Sequence, residues 1–263
     1  MAKSKFEYVK KFEENDQCLP NCWIVIRIDG RSFHRFSSDH GFKKPSDARA
    51  LNLMNDAARN VMEEFRDIVI SFGESDEYSF VFNKNTTQFS RRRSKLMSNV
   101  VSLFSASYVY HWNEHFPDQK LLSPPVFDGR LVLYPSTKNI RDYLSWRQAD
   151  CHINHLYNTC FWALVQKGGF SKADAEKRLK GTLSAEKNEI LFSEYGINYN
   201  DESDMFKKGS ILIHVKAFRE VPKTGPNSDN GETVVREYSE VAVKHCDLIS
   251  DDFWIVHPHI LRS

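Results

Sequence analysis

The sequence predicts an α+β fold: an antiparallel-rich sheet covered on one face by two helices, with a mainly helical second half added. Three observations carry this reading. The first half alternates strand, helix, hairpin, helix, strand. Its central hairpin is tight, so its two arms pair antiparallel. The second half opens on one long helical pattern and holds few strand-like runs.

The elements follow in order. The opening MAKSKFEYVKKFEEND is charged and predicts a short amphipathic helix with Phe6, Val9 and Phe12 on one side. Residues 23–28, WIVIRI, are β-branched and aromatic and stop at Asp29-Gly30, which predicts a strand. Leu51, Met54, Ala58, Val61 and Met62 recur at helical spacing over 47–66, with Ser46 or Asp47 as N-cap. ISFGESDEYSFVF, residues 70–82, reads as strand, tight turn, strand. Residues 89–112 predict a second long helix with a basic start, and prolines at 117, 124 and 125 separate it from a strand at 127–135. A third helix over 139–167 closes at Gly168-Gly169, and a shorter one spans 171–180. The segment around KNEILFSEYGINYND reads as polar. Residues 210–216 predict a strand, and the Pro/Gly/Asn/Asp-rich stretch 220–235 predicts a hairpin tip. The expected division is a core over 1–135 and a helical and β-hairpin part over 136–263 packed on it.

Composition narrows the function classes. The chain has 263 residues, 41% of them hydrophobic and 13% aromatic, enough for a core. Net charge is +1 with 27% charged residues, so contact with nucleic acid must rest on local patches. The odd count of 5 Cys at irregular spacing points to a reducing, intracellular compartment. No apolar run approaches the roughly 18–20 residues of a membrane span.

The chemistry concentrates in two acids. Asp29 ends the first predicted strand, and Asp76 sits in the hairpin turn beside Ser75 and Glu77. Side by side, the two carboxylates repel unless a cation joins them or one keeps a proton. Hard oxygen ligands, few in number, suit Mg²⁺, and two such ions can clamp the oxygens of a phosphoryl transfer. Gly30 lets its carbonyl approach a metal, and Arg31, Ser32, Phe33 and His34 offer successive backbone N–H groups to a triphosphate. A strand-end acid, a covering helix and a hairpin acid are the parts of a nucleotidyl-transfer palm.

RIDGRSFHRF, FGESDEYSFVF, SWRQADCHINHLYNT, GTLSAEKNEILF and HCDLISDDFW, with the opening MAKSKFEYVKKFE, resemble eukaryotic tRNA-histidine guanylyltransferases from residue 1 to about residue 254. The resemblance implies a polymerase-like palm working 3′ to 5′, which adds one guanylate to the 5′ end of histidine tRNA. ATP first adenylylates the 5′ monophosphate; the 3′-hydroxyl of GTP then attacks, and pyrophosphate is removed last. It implies two Mg²⁺ ions on Asp29, the Gly30 carbonyl and Asp76, with Glu77 as a supporting catalytic acid. The triphosphate is expected along Asp29, Gly30, Arg31, Ser32, Phe33 and His34, meeting Ser75 and Asp76. Lys44 and Asp47 are implied in triphosphate and guanine contacts. Arg92, Lys95, His152, Asn158, Lys187 and Asn198 are implied in tRNA binding, and a homotetramer in the cytoplasm is implied, with nucleus and mitochondrion as further compartments.

Read from the residues, Arg91, Arg92, Arg93 and Lys95 crowd a helix start, where cations oppose the helix dipole and a phosphate partner would offset the cost. His155 departs from the family's His-Ile-Asn-Asn pattern and exchanges an amide for a titratable ring. Cys151, His152 and His155 also suggest a structural zinc site, which needs further ligands from Cys18, Cys22, His245 or Cys246. Two rival functions share these features: a purine nucleotide cyclase or cyclic-dinucleotide synthase on the same palm, and a non-catalytic RNA-binding protein.

Overall fold

A computed structural model describes residues 4–222 and 233–262. Six antiparallel strands form one sheet in the order β4-β1-β3-β2-β5-β6. The strands are β1 (Trp23–Gly30), β2 (Ile68–Glu74), β3 (Glu77–Phe82), β4 (Phe127–Tyr134), β5 (Ser210–Pro222) and β6 (Thr233–Lys244). The sheet therefore continues past residue 135, because β5 pairs with β2 from Ile70↔Ile213 to Gly73↔Ser210.

Strand alternation assigns the two faces. Ile24, Ile26 and Ile28 of β1 join Tyr78, Phe80 and Phe82 of β3 in one apolar cluster. Two helices cover that face, α2 (Ala48–Glu64) through Leu53, Ala57 and Val61, and α3 (Arg93–Tyr110) through Leu96, Val100, Phe104 and Tyr108. The expected helix pair is thus present. The other face is covered by the second half of the chain, the part expected to pack on the core. There α5 (Thr137–Gln166) packs Ile140, Tyr143 and Leu144 on Trp23, Val25, Ile70, Phe72 and Val81. The far half of α5 builds a third cluster with α6 (Lys172–Leu179) and the turns after it.

Several boundaries differ from the expectation. The opening segment is a 3₁₀ turn, Glu7–Phe12, and its apolar side faces outward, with Phe12 81% exposed. A helix absent from the sequence reading, α1 (Phe33–Asp39), follows β1; its N-cap Ser32 adopts φ 55° with no side-chain cap, so no capping signature announces it. The second long helix begins at Arg93 instead of Phe89, because Phe89, Ser90 and Arg91 all take positive φ. A four-residue turn, α4 (Trp112–His115), extends it. KNEILFSEYGINYND is ordered as α7 (Ser184–Glu189) and a π turn, anchored by the fully buried Leu191. Two short helices, α8 (Asp204–Lys208) and α9 (Asp252–Val256), complete the chain. In the expected tip at 220–235, strand backbone runs to Pro222 and resumes at Thr233, while 223–232 lie outside the described residues. Among the described residues, no helix is long and apolar enough to cross a membrane.

Candidate active site

The two acids meet at one end of the sheet. Asp29 is the penultimate residue of β1 and lies opposite Glu77 in the β1–β3 ladder. Ser75 and Asp76 form the two-residue turn between β2 and β3, which Glu74↔Glu77 closes. The Gly30 N–H donates to the Asp76 carbonyl at 3.0 Å, which ties that turn to the end of β1. Ser75 reaches this shape with φ 49°, a strained value for a residue with a side chain.

Asp76 and Glu77 point to opposite faces. A Cβ on Gly30 would lie 3.0 Å from the Asp76 Cβ, beside Phe33. Glu77 instead meets the Arg147 guanidinium from α5, Nε to Oε1 at 2.7 Å. Burial is the main cause holding the Asp76 carboxyl above its ordinary range, and the nearby Asp29 charge adds to it; the Ser75 hydroxyl, donating at 3.0 Å, acts the other way. Burial likewise raises Glu77, against the pull of Arg147 and Arg27. Burial also pushes Glu74 up to about 8, despite its ion pair with Arg147.

No Lys or Arg forms an ion pair with Asp29 or Asp76 among the described residues. Two buried-edge carboxylates that repel each other without a cation partner are a donor set that fits a hard divalent ion. The described residues contain no cluster of three or more His, Cys, Asp or Glu, so the zinc expectation at Cys151, His152 and His155 has no ligand set.

A cleft of about 530 Å³ opens beside Asp76. Predicted residues on its wall are Phe33, His34, Lys44, Asp47, Ser75, Asp76 and Asn158; Asp29, Gly30, Arg31 and Ser32 lie outside the wall. Lys44 is half-buried; burial lowers its pKa and the Lys172 charge lowers it further. Asp47 is a helix cap. It accepts from the Arg49 N–H at 3.0 Å, the Lys43 N–H at 3.0 Å and the Arg49 guanidinium at 2.7 Å. Burial acts to raise its pKa, and these bonds to Arg49 and Lys43 hold it below the usual range instead.

The residues expected to face tRNA are dispersed. Arg92 and Lys95 are exposed at the start of α3. The helix dipole there is answered within the chain, since the Asp16 carboxylate accepts from the Ser94 N–H at 2.6 Å. Arg91 is buried and donates to the carbonyls of Leu19 at 2.7 Å and Cys22 at 3.0 Å, so it is a structural residue. His152 is exposed, with its ring 5.4 Å from that of Tyr199. Lys187 donates to the Thr182 carbonyl at 2.7 Å, and Asn198 caps a short turn through Asn200.

Sequence reasoning found Asn158 and missed the rest of the α5 wall of the cleft. Arg147 occupies the buried stripe formed by Ile140, Leu144 and Cys151, and an Arg on such a stripe is the available signal. His155 is buried, 3.3 Å from the Ser46 hydroxyl and 3.5 Å from the Glu202 carboxylate. It therefore faces the cleft loop instead of an RNA surface, and burial lowers its pKa despite Glu202.

A family model described as tRNAHis guanylyltransferase matches residues 6–135, and one described as Thg1 C terminal domain matches residues 138–250. The tRNA(His) guanylyltransferase of Schizosaccharomyces pombe is 55% identical over 261 residues, spanning 99% of this chain and 98% of that protein. The crystal structure of the Saccharomyces cerevisiae enzyme superposes with a TM-score of 0.76 at 51% identity, over 80% of this chain and 93% of that one. A bacterial Thg1-like protein in complex with ATP shares the fold, with a TM-score of 0.75 at 21% identity over 98% and 99% of the two chains. The chain belongs to the tRNAHis guanylyltransferase family.

Proposed function

We propose that this chain adds a guanylate to the 5′ end of histidine tRNA, after ATP-dependent adenylylation of the 5′ monophosphate. One observation carries the chemistry: Asp76, on the cleft wall, lies near the Asp29 charge, and among the described residues no Lys or Arg is ion-paired to either. Asp29, Asp76 and the Gly30 carbonyl would hold two magnesium ions. Such ions, when bound, stabilise charge developing on phosphoryl oxygens. The family names support tRNA as substrate, and the ATP and GTP complexes of the bacterial protein support nucleotide binding in this fold.

The chain's own residues do the positioning. Lys44, on the cleft wall, offers a point charge to a phosphate. The first-turn N–H groups of α1, at Phe33 and His34, are free of backbone partners among the described residues and can donate to a triphosphate. Ser75 orients the Asp76 carboxylate by its hydrogen bond. Asn158 presents both donor and acceptor to whatever enters the cleft. Glu77 supports the site from the opposite face, through Arg147. Arg92, Lys95, His152, Lys187 and Asn198 make up the tRNA surface of this reading, and assembly as a homotetramer belongs to it.

The test is guanylyl addition to 5′-labelled histidine tRNA with ATP, GTP and Mg²⁺. An extended tRNA carrying one added guanylate is expected. Cyclised GTP without extension would point to a nucleotide cyclase on the same palm. RNA binding without turnover would remove the catalytic reading.

A further inference from the structure

We propose that Arg147 is a positioning residue for the turn that carries Asp76. The proposal deepens the functional reading above and rests on it.

Arg147 projects from α5, and only 7% of its side chain is exposed. Its Nε donates to Glu77 Oε1 at 2.7 Å and its Nη2 to Glu74 Oε1 at 2.7 Å. A third bond runs from Nη2 to Asp150 Oδ2 at 2.9 Å, on the same helix. Trp146 covers the guanidinium, 4.5 Å from the ring centroid.

Glu74 and Glu77 are the residues immediately before and after Ser75-Asp76, and they face each other across the β2–β3 ladder. Two acids directly opposite on adjacent strands oppose pairing. One planar cation with two donors in a fixed fork bridges them and sets their separation. That separation is the base of the strained turn, so the fork holds the width of the turn and with it the direction of Asp76. Buried ion networks contribute little net stability compared with apolar packing. Their use here is geometric, and the geometry held is that of one carboxylate on the opposite face of the sheet. The next three turns of α5 carry Cys151, His155 and Asn158 on the cleft wall. One helix therefore lines the cleft and aligns the turn at its end.

Arg147→Lys tests this, because lysine keeps the charge and loses the fork. The probe is Mn²⁺ alone, titrated by paramagnetic resonance, with kcat, the KM for tRNA and the melting temperature measured in parallel. Displacing a reacting group by about 1 Å costs on the order of 10²-fold, so kcat should fall about 10–100-fold. Mn²⁺ affinity should fall with it, while the tRNA KM holds. Unchanged Mn²⁺ affinity and kcat in Arg147→Lys would overturn the proposal. So would a kcat deficit that vanishes when both proteins are assayed equally far below their melting points. Should Arg147→Lys not fold, Arg147→Lys/Glu74→Gln relieves the acid repulsion and carries the same readouts; failure of both to fold makes Arg147 structural and overturns the assignment. Absence of Mn²⁺ binding in the wild-type chain would instead remove the metal reading itself.

Discussion

Gly30→Ala is the sharpest test of how the site is built. The Gly30 N–H donates to the Asp76 carbonyl at 3.0 Å, so β1 and the β2–β3 turn are in backbone contact there. A methyl on Gly30 would stand 2.5 Å from the Phe33 Cγ and 3.0 Å from the Asp76 Cβ. Phe33 has nowhere to retreat: its ring centroid lies 4.7 Å from Phe36, 5.1 Å from Phe127 and 5.9 Å from Tyr108. The strain must displace either the ring or the turn. Overpacking of this kind costs about 1–3 kcal/mol. For a chain of this size that lowers the melting temperature by roughly 2–12 °C. If the turn yields by about 1 Å, guanylyl addition falls on the order of 10²-fold beyond any loss of folded protein. Calorimetry and single-turnover addition, at a temperature where both proteins are folded, separate the two effects. A Gly30→Ala variant with the wild-type melting point and turnover would refute the close approach and the argument built on it.

Asp76→Ala removes a carboxylate proposed to hold magnesium and should abolish guanylyl addition, while tRNA affinity by filter binding stays within a factor of about two of wild type, because on that proposal Asp76 serves chemistry instead of docking. Phe104→Ala empties a fully buried position between Tyr78, Phe80 and Phe127 and should destabilise by roughly 3–5 kcal/mol in denaturant titration. His155→Asn should change the acid limb of stability. Burial first, then the His152 and Lys207 charges, lower the His155 pKa from 6.5, and Glu202 only partly opposes them. A lowered folded-state value gives stability that is complete above 6.5 and is lost as pH falls through the folded-state value. The melting-point gap between wild type and His155→Asn should therefore shrink from pH 7.5 toward pH 5, and parallel curves would contradict the assignment.

The parts legible in the sequence were those with short-range signals. The alternation of Tyr78, Phe80 and Phe82 gave the hairpin arm, and helical spacing gave α2, because each pattern is set by burial of one face. The convergence of Asp29 and Asp76 was legible because a tight turn and a strand end must lie at one end of the sheet. What escaped depended on backbone states or distant partners. Positive φ at Phe89, Ser90 and Arg91 moved the start of α3, and no local composition reports such a state in non-glycine residues. The basic run looked like an RNA patch, yet Arg91 spends its donors on carbonyls some 70 residues away in sequence. β6 was hidden because much of the β5–β6 ribbon runs past the core, leaving Phe218 and Val235 mostly exposed and the apolar alternation without a buried face to enforce it.

The charge distribution at the sheet end explains why neighbouring acids differ in role. Glu74, Glu77 and Asp150 share Arg147, and Arg27 approaches Glu77 at 3.6 Å. Both arginines reach these acids on the face that α5 covers. The Asp76 carboxyl instead has the Ser75 hydroxyl and the Asp29 and His34 charges near it. Asp76 closes the turn and Glu77 opens β3, so the change from turn to strand backbone separates the two adjacent side chains. The paired acids are satisfied and fix geometry. The acids left without a partner are the ones whose charge a cation can still stabilise, so the division between structure and chemistry runs through the peptide bond joining Asp76 to Glu77. Replacing Glu77 and replacing Asp76 should accordingly differ in kind: loss of Glu77 leaves a buried guanidinium short of one partner and shows first in stability, whereas loss of Asp76 shows first in turnover.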